Sequence, residues 1–350
     1  MVYAGVLHGI DDIQYQDINI SELKEDEVLI NVKCAGICGS DIPRIKTKGT
    51  YHFPTIPGHE FSGIIVKKGH FVENVIVGDK VTIYPLIPCK KCFYCQAGKE
   101  NLCKNYDYLG SRCNGGFAEY VKCPASNVLK IPEEVNFEEA ALVEPIAVAL
   151  RGVKRGKVKL GDKVIVFGMG PIGIFSAQWA KIMGAKVVVG IDRNDHKLEI
   201  AKKVGITHTI NSNNENYTEK IKERLNGNAD VILECSGANV FQEKSLELVK
   251  KSGIISIIGN PKQDMIIKEN LFQLILRKEI TLIGCWNSLI TVEENEWKLV
   301  LNALKTKKIK VAPIITHRFN LPEIKSVFDN LYAQKYKDYC KGVFLINENV

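Results

Sequence analysis

The chain has 350 residues, with 47 Lys and Arg against 40 Asp and Glu, so its formal net charge is +7. Hydrophobic residues make up 45% and charged residues 25% of the chain, which are ordinary globular values and exclude disordered and low-complexity classes. The length suggests two domains, and an odd total of 11 cysteines argues against a fully paired extracellular disulfide framework. We therefore expect a reducing, cytoplasmic compartment, where clustered cysteines usually bind a metal or act in catalysis.

The N-terminal sequence lacks the basic and apolar regions of a signal peptide, and no long apolar run predicts a transmembrane helix. The positive charge is spread along the chain, without the basic stripe and interleaved aromatic residues that nucleic-acid binding requires. We therefore expect a small-molecule substrate and neither a nucleic-acid nor a membrane partner.

Short apolar runs bounded by Gly and Pro dominate residues 1–150, for example 27–33, 61–66 and 80–84. Runs of this length between turn residues predict strands, and their number predicts a β domain.

Cys38, His59 and Glu144 form a first candidate metal site within this β domain. A histidine beside glycine, as His59 is, is often no more than a hydrogen-bonded loop residue. Glu144 lies within the apolar stretch 140–150, and a buried carboxylate needs a partner such as a metal. Cys, His and a carboxylate with one open position match the chemistry of catalytic zinc.

Four cysteines in the pattern C-x2-C-x2-C-x7-C form a second candidate metal site, and four thiolates at this spacing can close one tetrahedral shell. A shell made only of protein ligands predicts a structural zinc. Two disulfides fit the reducing compartment poorly, and the spacing differs from that of ferredoxin-like iron–sulfur proteins. The four residues are Cys89, Cys92, Cys95 and Cys103.

From Lys163 onward, apolar runs alternate with helical segments and predict six strands with helices between them. This alternation is the signature of a doubly wound parallel sheet. The remaining chain contains a predicted helix near 293–305 and a closing strand near 342–346.

The first of these six strands runs directly into Gly168-Met169-Gly170-Pro171-Ile172-Gly173, a GxGxxG sequence at the start of a helix. In such a motif Gly168 allows the tight turn, Gly170 lets a pyrophosphate approach, and Gly173 lets the helix pack closely. Asp192 ends the second strand, where a carboxylate binds the ribose hydroxyls and favours NAD over NADP. Arg193 beside it could instead accept a 2′-phosphate or stack on the adenine. We also assign cofactor contacts to Pro171, Ile172, Cys235 and Gly259.

Together these motifs resemble the zinc-dependent medium-chain alcohol and polyol dehydrogenases, over essentially the whole chain. The resemblance rests on the Gly58-His59-Glu60 signature, the four-cysteine lobe, the segment 115–120 and the GxGxxG motif with Asp192. It implies a discontinuous GroES-like β domain, made of residues 1–150 and 287–350, around a Rossmann domain at 151–286. It also implies two Zn²⁺ per chain and NAD as cofactor. Members of the family form dimers and tetramers, and we expect a homodimer.

The resemblance implies that Cys38, His59 and Glu144 bind the catalytic zinc. Glu60 could bind the zinc in place of Glu144, exchange with substrate or water at the zinc during turnover, or support the ligands without binding the zinc itself. Ser40 would take the proton of the substrate hydroxyl. Many relatives carry a histidine where this chain has Pro43, so the outward proton path beyond Ser40 stays open.

Three stretches, 38–45, 106–120 and 275–286, are similar to family members that oxidise a phosphorylated hexitol. Such a substrate needs cationic side chains, and Arg44 and Arg112 lie in these stretches. The alternatives are a dehydrogenase of an unphosphorylated polyol or diol, or a zinc-ribbon-type binding protein, which would leave the GxGxxG motif unexplained.

Overall fold

The computed structural model describes residues 1–261, 263–291 and 293–347, which form two compact units. Unit 1 consists of Met1–Glu144, Ile290–Lys305 and Ile315–Val350. Unit 2 consists of Pro145–Leu289 and Thr306–Ile314.

The limits of the two units differ from the predicted domain boundaries at 150 and 287, because residues 145–150 and 306–314 belong to unit 2. Trp179 donates its indole N–H to the carbonyl of Ile146 at 3.2 Å. Gln178 and Lys310 exchange two hydrogen bonds, of 3.1 and 2.8 Å. These are contacts between residues far apart in sequence, which periodicity does not reveal.

The N-terminal part of unit 1 consists mainly of strands, as predicted. Their bounds are β1 (Val2–Gly9), β2 (Asp12–Ile18), β3 (Glu27–Gly36), β4 (Glu60–Lys68), β5 (Lys80–Ile83), β6 (Leu86–Ile87), β7 (Asp107–Tyr108), β8 (Tyr120–Pro124) and β9 (Val128–Lys130). The helices in and after this region are α1 (Asp41–Pro43), α2 (Phe93–Gln96), α3 (Phe137–Ala141) and α4 (Val143–Arg155). Between α1 and β4 lies a π-helical turn, Arg44–Lys48.

Unit 2 contains the predicted six-stranded parallel sheet, in the order β12-β11-β10-β13-β14-β15. Its strands are β10 (Lys163–Phe167), β11 (Val187–Asp192), β12 (His208–Asn211), β13 (Ala229–Glu234), β14 (Val249–Ile257) and β15 (Thr281–Gly284). The helices are α5 (Pro171–Ile182), α6 (Asp195–Lys203), α7 (Tyr217–Leu225), α8 (Asn239–Leu248) and α9 (Glu269–Arg277). The strand order reverses next to β10, and the carboxyl ends of strands at such a point are where nucleotides bind in doubly wound sheets.

The C-terminal segment returns to unit 1. It contains α10 (Glu296–Lys305), β16 (Ile315–Asn320), α11 (Ile324–Tyr332) and β17 (Lys341–Leu345). Strand β17 pairs antiparallel with β3 and parallel with β16, which gives the sheet order β16-β17-β3-β4-β5-β9. Both chain ends therefore build one sheet, and the predicted fold class, a parallel Rossmann sheet with a discontinuous β domain, is confirmed.

The core of unit 1 lies under this sheet and is closed by the C-terminal segment. The ring of Phe117 packs against those of Phe328 and Phe344, with centroids 5.8 and 5.2 Å apart, and all three side chains are fully buried. Among the described residues, no helix combines the length and the apolar character that a membrane span requires.

Candidate active site

Cys38, His59 and Glu60 meet at one end of the strand pair β3 and β4. Gly36 at the end of β3 is paired in register with Glu60 at the start of β4, so Cys38 and His59 extend beyond the same end of the sheet. The potential metal-binding atoms of the three residues all lie within 4.8 Å of one another. A Cβ atom on Gly36 would lie 2.3 Å from Oε2 of Glu60, so glycine at this position leaves room for the carboxylate.

The carboxylate of Asp41 contacts both Cys38 and His59. Its fully buried carboxylate accepts the backbone N–H of Cys38 at 3.0 Å and lies 3.4 Å from Nδ1 of His59. Arg44 donates to the same carboxylate at 2.7 Å. An Asp that holds Nδ1 fixes the orientation of the imidazole and leaves Nε2 as the nitrogen available to a metal.

The surroundings of His59 favour positive charge. Burial alone would lower the pKa of His59, but the negative charges of Asp41 and Cys38 outweigh burial and raise that pKa well above its usual value. A buried site with a thiol, an imidazole and carboxylates therefore suits a divalent cation, and this set of donor atoms is one that Zn²⁺ binds.

Glu60 already has a cationic partner in Lys341. The Nζ atom of Lys341 lies 2.5 Å from Oε2 of Glu60, and the two side chains are 3% and 1% exposed. Lys341 also donates to the carbonyl of Ile37 at 2.9 Å. Although burial opposes it, the charge of Glu60 raises the pKa of Lys341, so the ammonium stays protonated.

Glu144 approaches the site from the first turn of α4 and is buried. Burial raises the pKa of Glu144 to about 7, and the charge of Glu60 adds to this effect while that of His59 opposes it. Its Oε1 accepts the hydroxyl of Tyr108 at 3.2 Å, and the Tyr108 ring packs against His59 with centroids 5.8 Å apart. Among the described residues, the cluster with mutual distances within 4.8 Å contains Glu60 rather than Glu144.

Ser40 lies beside the cluster, where its hydroxyl donates to Sγ of Cys38 at 3.3 Å. Pro43 closes the short helix α1 immediately afterwards and offers no group that can titrate.

The two arginines predicted to hold a phosphate have different surroundings. Arg44 donates to Asp41, as described above. The guanidinium carbon of Arg112 lies 3.9 Å from the ring centroid of Tyr51 and 4.5 Å from that of Tyr106.

The four cysteines of the predicted lobe form the second cluster, with all four Sγ atoms within 4.8 Å of one another. Backbone N–H groups, first that of Lys104 and then that of Cys95, lower the pKa of Cys92 to about 6. The backbone N–H of Cys89 points at Sγ of Cys103 from 3.3 Å. Backbone donors aimed at sulfur stabilise thiolates, which is the form that binds zinc.

The GxGxxG segment of unit 2 has the geometry of a phosphate cradle. Gly168 has a φ of +88°, which favours glycine, and a Cβ on Gly173 would lie 1.7 Å from the carbonyl of Gly168. By contrast, no atom lies within 4 Å of a Cβ placed on Gly170, the residue that caps the N-terminus of α5. The open space at Gly170 lies in front of free N–H groups at a helix N-terminus, where pyrophosphates bind.

Asp192 ends β11, where its carboxylate accepts the backbone N–H groups of Met169 at 2.7 Å and Asn194 at 3.0 Å. Arg193 next to it is exposed. Sγ of Cys235 lies 3.7 Å from Oγ of Ser176, and the backbone of Gly259 packs on that of the loop after β13.

Sequence reasoning did not single out Asp41, Lys341, Tyr108, Tyr51 or Tyr106. Asp41 follows Ser40 in the sequence Cys38-Gly39-Ser40-Asp41, and its place beside these candidate residues could have identified it as part of the site. Lys341 carried no signal, because its role depends on the pairing of β17 with β3, about 300 residues apart in sequence.

Two family models match the chain. The alcohol dehydrogenase GroES-like domain matches residues 24–133, and the zinc-binding dehydrogenase domain matches residues 171–306. The chain thus belongs to the zinc-dependent medium-chain alcohol and polyol dehydrogenases, and it is an oxidoreductase of that family.

Individual relatives are similar over almost the whole chain. Galactitol 1-phosphate 5-dehydrogenase of Escherichia coli strain K12 is 36% identical over 85% of this chain and 87% of its own. A crystal structure of galactitol-1-phosphate dehydrogenase from Escherichia coli has a TM-score of 0.91 at 32% identity and covers 98% of this chain and 99% of its own. Sorbitol dehydrogenase of Bombyx mori is 34% identical over 93% and 94% of the two chains. A zinc-binding dehydrogenase from Sinorhizobium meliloti 1021 bound to NADP has a TM-score of 0.91 at 29% identity, covering 99% of each chain.

Proposed function

We propose that this chain oxidises a secondary alcohol of a polyol phosphate with NAD, converting galactitol 1-phosphate to tagatose 6-phosphate. The observation that carries the proposal is an arginine, Arg112, held over the rings of Tyr51 and Tyr106 and connected to His59 through ring contacts of Tyr106 and Tyr108. The similarity to galactitol 1-phosphate 5-dehydrogenase supports the same substrate class.

For the catalytic zinc, the ligands we propose are Cys38, His59 and Glu144. Glu60 approaches Cys38 and His59 more closely, but its charge is already balanced by Lys341. Within the described part of the chain, Glu144 accepts a hydrogen bond from a neutral phenol and forms no ion pair, so its carboxylate is the better donor to a cation. When bound, zinc acts as a Lewis acid that lowers the pKa of the substrate hydroxyl.

Ser40 relays the hydroxyl proton in this proposal: its Oγ, 3.3 Å from the proposed ligand Cys38, accepts the substrate proton as its own hydroxyl proton passes outward to water. The nicotinamide serves as hydride acceptor. Asp41 keeps the His59 ring oriented in this proposal, since its Oδ1 faces Nδ1 at 3.4 Å.

NAD is the preferred cofactor in this proposal, because the buried carboxylate of Asp192 at the end of β11 would repel a 2′-phosphate. Arg193 and the relative bound to NADP are the arguments for NADP.

Replacing Asp192 with Ser should raise the NADP-to-NAD ratio of kcat/KM at least about tenfold, since a charge repulsion of about 1.4 kcal/mol corresponds to that factor. An unchanged ratio would remove Asp192 as the determinant.

The proposed enzyme also contains a structural zinc, forms a homodimer and is cytoplasmic. Cys89, Cys92, Cys95 and Cys103 hold a structural zinc, which gives two zinc ions per chain. A homodimer forms through the edge of the unit 2 sheet at β15, where Leu282 is 40% and Trp286 is 50% exposed. None of the 11 cysteines, all of which lie within the described residues, forms a disulfide, and this fits a cytoplasmic location.

A second candidate function is the oxidation of an unphosphorylated polyol or diol, of the sorbitol or butanediol type. The observation in its favour is the similarity to sorbitol dehydrogenase, which is nearly as high as that to galactitol 1-phosphate 5-dehydrogenase. Steady-state kinetics with galactitol 1-phosphate, galactitol, sorbitol and 2,3-butanediol, followed by NADH formation, separate the two. Equal kcat/KM for galactitol 1-phosphate and galactitol would overturn the first proposal in favour of the second.

A further inference from the structure

The side chain of Arg112 is held by aromatic rings rather than by a carboxylate. Its guanidinium carbon lies over the rings of Tyr51 and Tyr106, 3.9 and 4.5 Å from their centroids. Guanidinium groups stack on aromatic faces, and such stacking leaves the N–H groups in the guanidinium plane as its donors. These in-plane donors are the ones that bind a phosphate in a bidentate manner.

Arg112 has no ion pair within the part of the chain that the structure describes, and its Nε atom is buried without a hydrogen-bond partner. A guanidinium is always charged, and burying a donor without an acceptor is costly. Arg112 itself is half-buried, so part of the residue can be reached from solvent. An anion bound at its accessible N–H groups would supply the counter-charge that this cation lacks among the described residues.

The backbone of Arg112 is fixed from two sides. Its N–H donates to the carbonyl of Tyr108 at 2.9 Å, and its own carbonyl accepts from Nε2 of His52 at 2.9 Å. Thr55 lies 3.1 Å from Nδ1 of the same histidine. The loop that carries Tyr51 and the turn that carries Arg112 are therefore held together before any ligand arrives, which lowers the entropy cost of binding one.

A series of ring contacts connects this cation to the proposed catalytic residues. The Tyr106 ring meets the Tyr108 ring edge to face, with centroids 6.4 Å apart. Tyr108 in turn donates to Glu144 and packs against His59. Two rings, those of Tyr106 and Tyr108, thus connect the guanidinium of Arg112 to His59.

Arg44, the other arginine considered for the phosphate, serves a different partner. Its Nη1 donates at 2.7 Å to Oδ1 of Asp41, the same oxygen that faces His59. Removing Arg44 would leave a fully buried carboxylate without its cation, directly beneath the proposed zinc ligands.

We propose that Arg112 is the residue that selects a phosphate monoester on the substrate, with Tyr51 and Tyr106 as positioning residues that hold its guanidinium. Arg44 is a positioning residue for His59, acting through Asp41, and does not contact the phosphate. This inference rests on the proposed function and narrows its two candidate arginines to one.

The test compares kcat/KM for galactitol 1-phosphate and for galactitol in the intact enzyme and in Arg112→Gln. Losing one partner of a charge-assisted contact costs about 2–5 kcal/mol, so Arg112→Gln should lower kcat/KM for the phosphorylated substrate roughly 30-fold or more, mainly through KM. Its kcat/KM for galactitol should change less than about threefold, a change below 1 kcal/mol. Inorganic phosphate should inhibit the wild-type enzyme competitively and inhibit the variant much more weakly.

The matched controls are Arg44→Gln, Tyr106→Leu and Tyr106→Phe. Arg44→Gln should lower kcat for both substrates by the same factor and leave their ratio unchanged. Tyr106→Leu should reduce the preference for the phosphorylated substrate, and Tyr106→Phe should restore it because the ring is kept.

Two results would overturn the proposal. If the wild-type enzyme prefers galactitol 1-phosphate and Arg112→Gln keeps that preference, the assignment to Arg112 is wrong while the proposed function stands. If the wild-type enzyme shows no preference for the phosphate, the proposed function and the role of Arg112 fail together.

Discussion

Lys341 and Glu60 form a buried ion pair, with Nζ 2.5 Å from Oε2 and side chains 3% and 1% exposed. Lys341 begins β17 near the end of the chain, whereas Glu60 follows His59 and begins β4. The pair therefore joins the C-terminal strand to the segment that carries a proposed zinc ligand, and it neutralises the carboxylate that clusters with Cys38 and His59.

Replacing Lys341 with Met should destabilise unit 1, because it leaves the buried carboxylate of Glu60 without its cation. Breaking a buried pair from one side costs about 3–5 kcal/mol. We expect a decrease of this size in the free energy of unfolding, measured by urea denaturation of the purified enzyme followed by circular dichroism.

The double variant Lys341→Met with Glu60→Gln is the control, since it removes both charges. Exchanging a buried pair for neutral groups is often close to neutral, so the double variant should recover most of the lost stability. A double variant as unstable as Lys341→Met alone would show that the loss comes from packing of the lysine side chain and not from its charge.

Much of the fold could be predicted from local sequence. The apolar runs that become β10 and β11, and the glycines of the intervening turn, act over a few residues, so periodicity and turn chemistry reveal them. Strand β16 and helix α11 were not predicted. The sequence of β16, Ile315–Asn320, mixes polar and apolar residues at a sheet edge and has no clear alternation.

The proposed site could be predicted only in part, for a similar reason. Cys38 and His59 lie in short motifs and have side chains that bind metals, so the sequence alone was enough to predict them as candidate zinc ligands. Lys341 could not be found, because its role depends on long-range strand pairing, and neither could the stacking of Tyr51 on Arg112, because it depends on how two loops meet.

Gly170 and Gly173 should respond to substitution in opposite ways. No atom lies within 4 Å of a Cβ on Gly170, so Gly170→Val should fold normally yet block the approach of the pyrophosphate. We expect an unchanged melting temperature and at least about tenfold weaker NADH binding, a loss of about 1.4 kcal/mol, in a fluorescence titration.

Gly173→Ala is the matched control for Gly170→Val. Its Cβ would lie 1.7 Å from the carbonyl of Gly168, so the substitution should lower the melting temperature as well as NADH affinity. Weakened binding in Gly173→Ala without any loss of stability, or full NADH affinity in Gly170→Val, would contradict the assignment of the cradle.

The four-cysteine lobe can be tested by counting metal. Cys92→Ser should reduce zinc from two ions per chain to one, measured by plasma mass spectrometry after extensive dialysis, because three thiolates cannot close the tetrahedral shell. Cys340→Ser is the control, since Cys340 is a buried cysteine that lies outside both clusters, and it should retain both ions. A wild-type enzyme with one zinc that persists in Cys92→Ser would rule out the lobe as a metal site.

The proposed dimer can be tested at the edge of the unit 2 sheet. Strand β15 ends the sheet order, so the N–H and C=O groups of its outer edge have no strand partner among the described residues. Such an edge can pair with another chain unless charge or a cover prevents it. Leu282 in this strand is 40% exposed, and Leu276 and Phe272 on α9 are 65% and 52% exposed.

If a second copy covers this edge, Leu282→Glu should place two like charges in an apolar interface and convert the dimer to monomer in sedimentation velocity. Leu160→Glu changes a more exposed leucine, at 86%, in the same unit and should leave the dimer intact. A dimer that survives Leu282→Glu but dissociates in Leu160→Glu would place the interface elsewhere on unit 2.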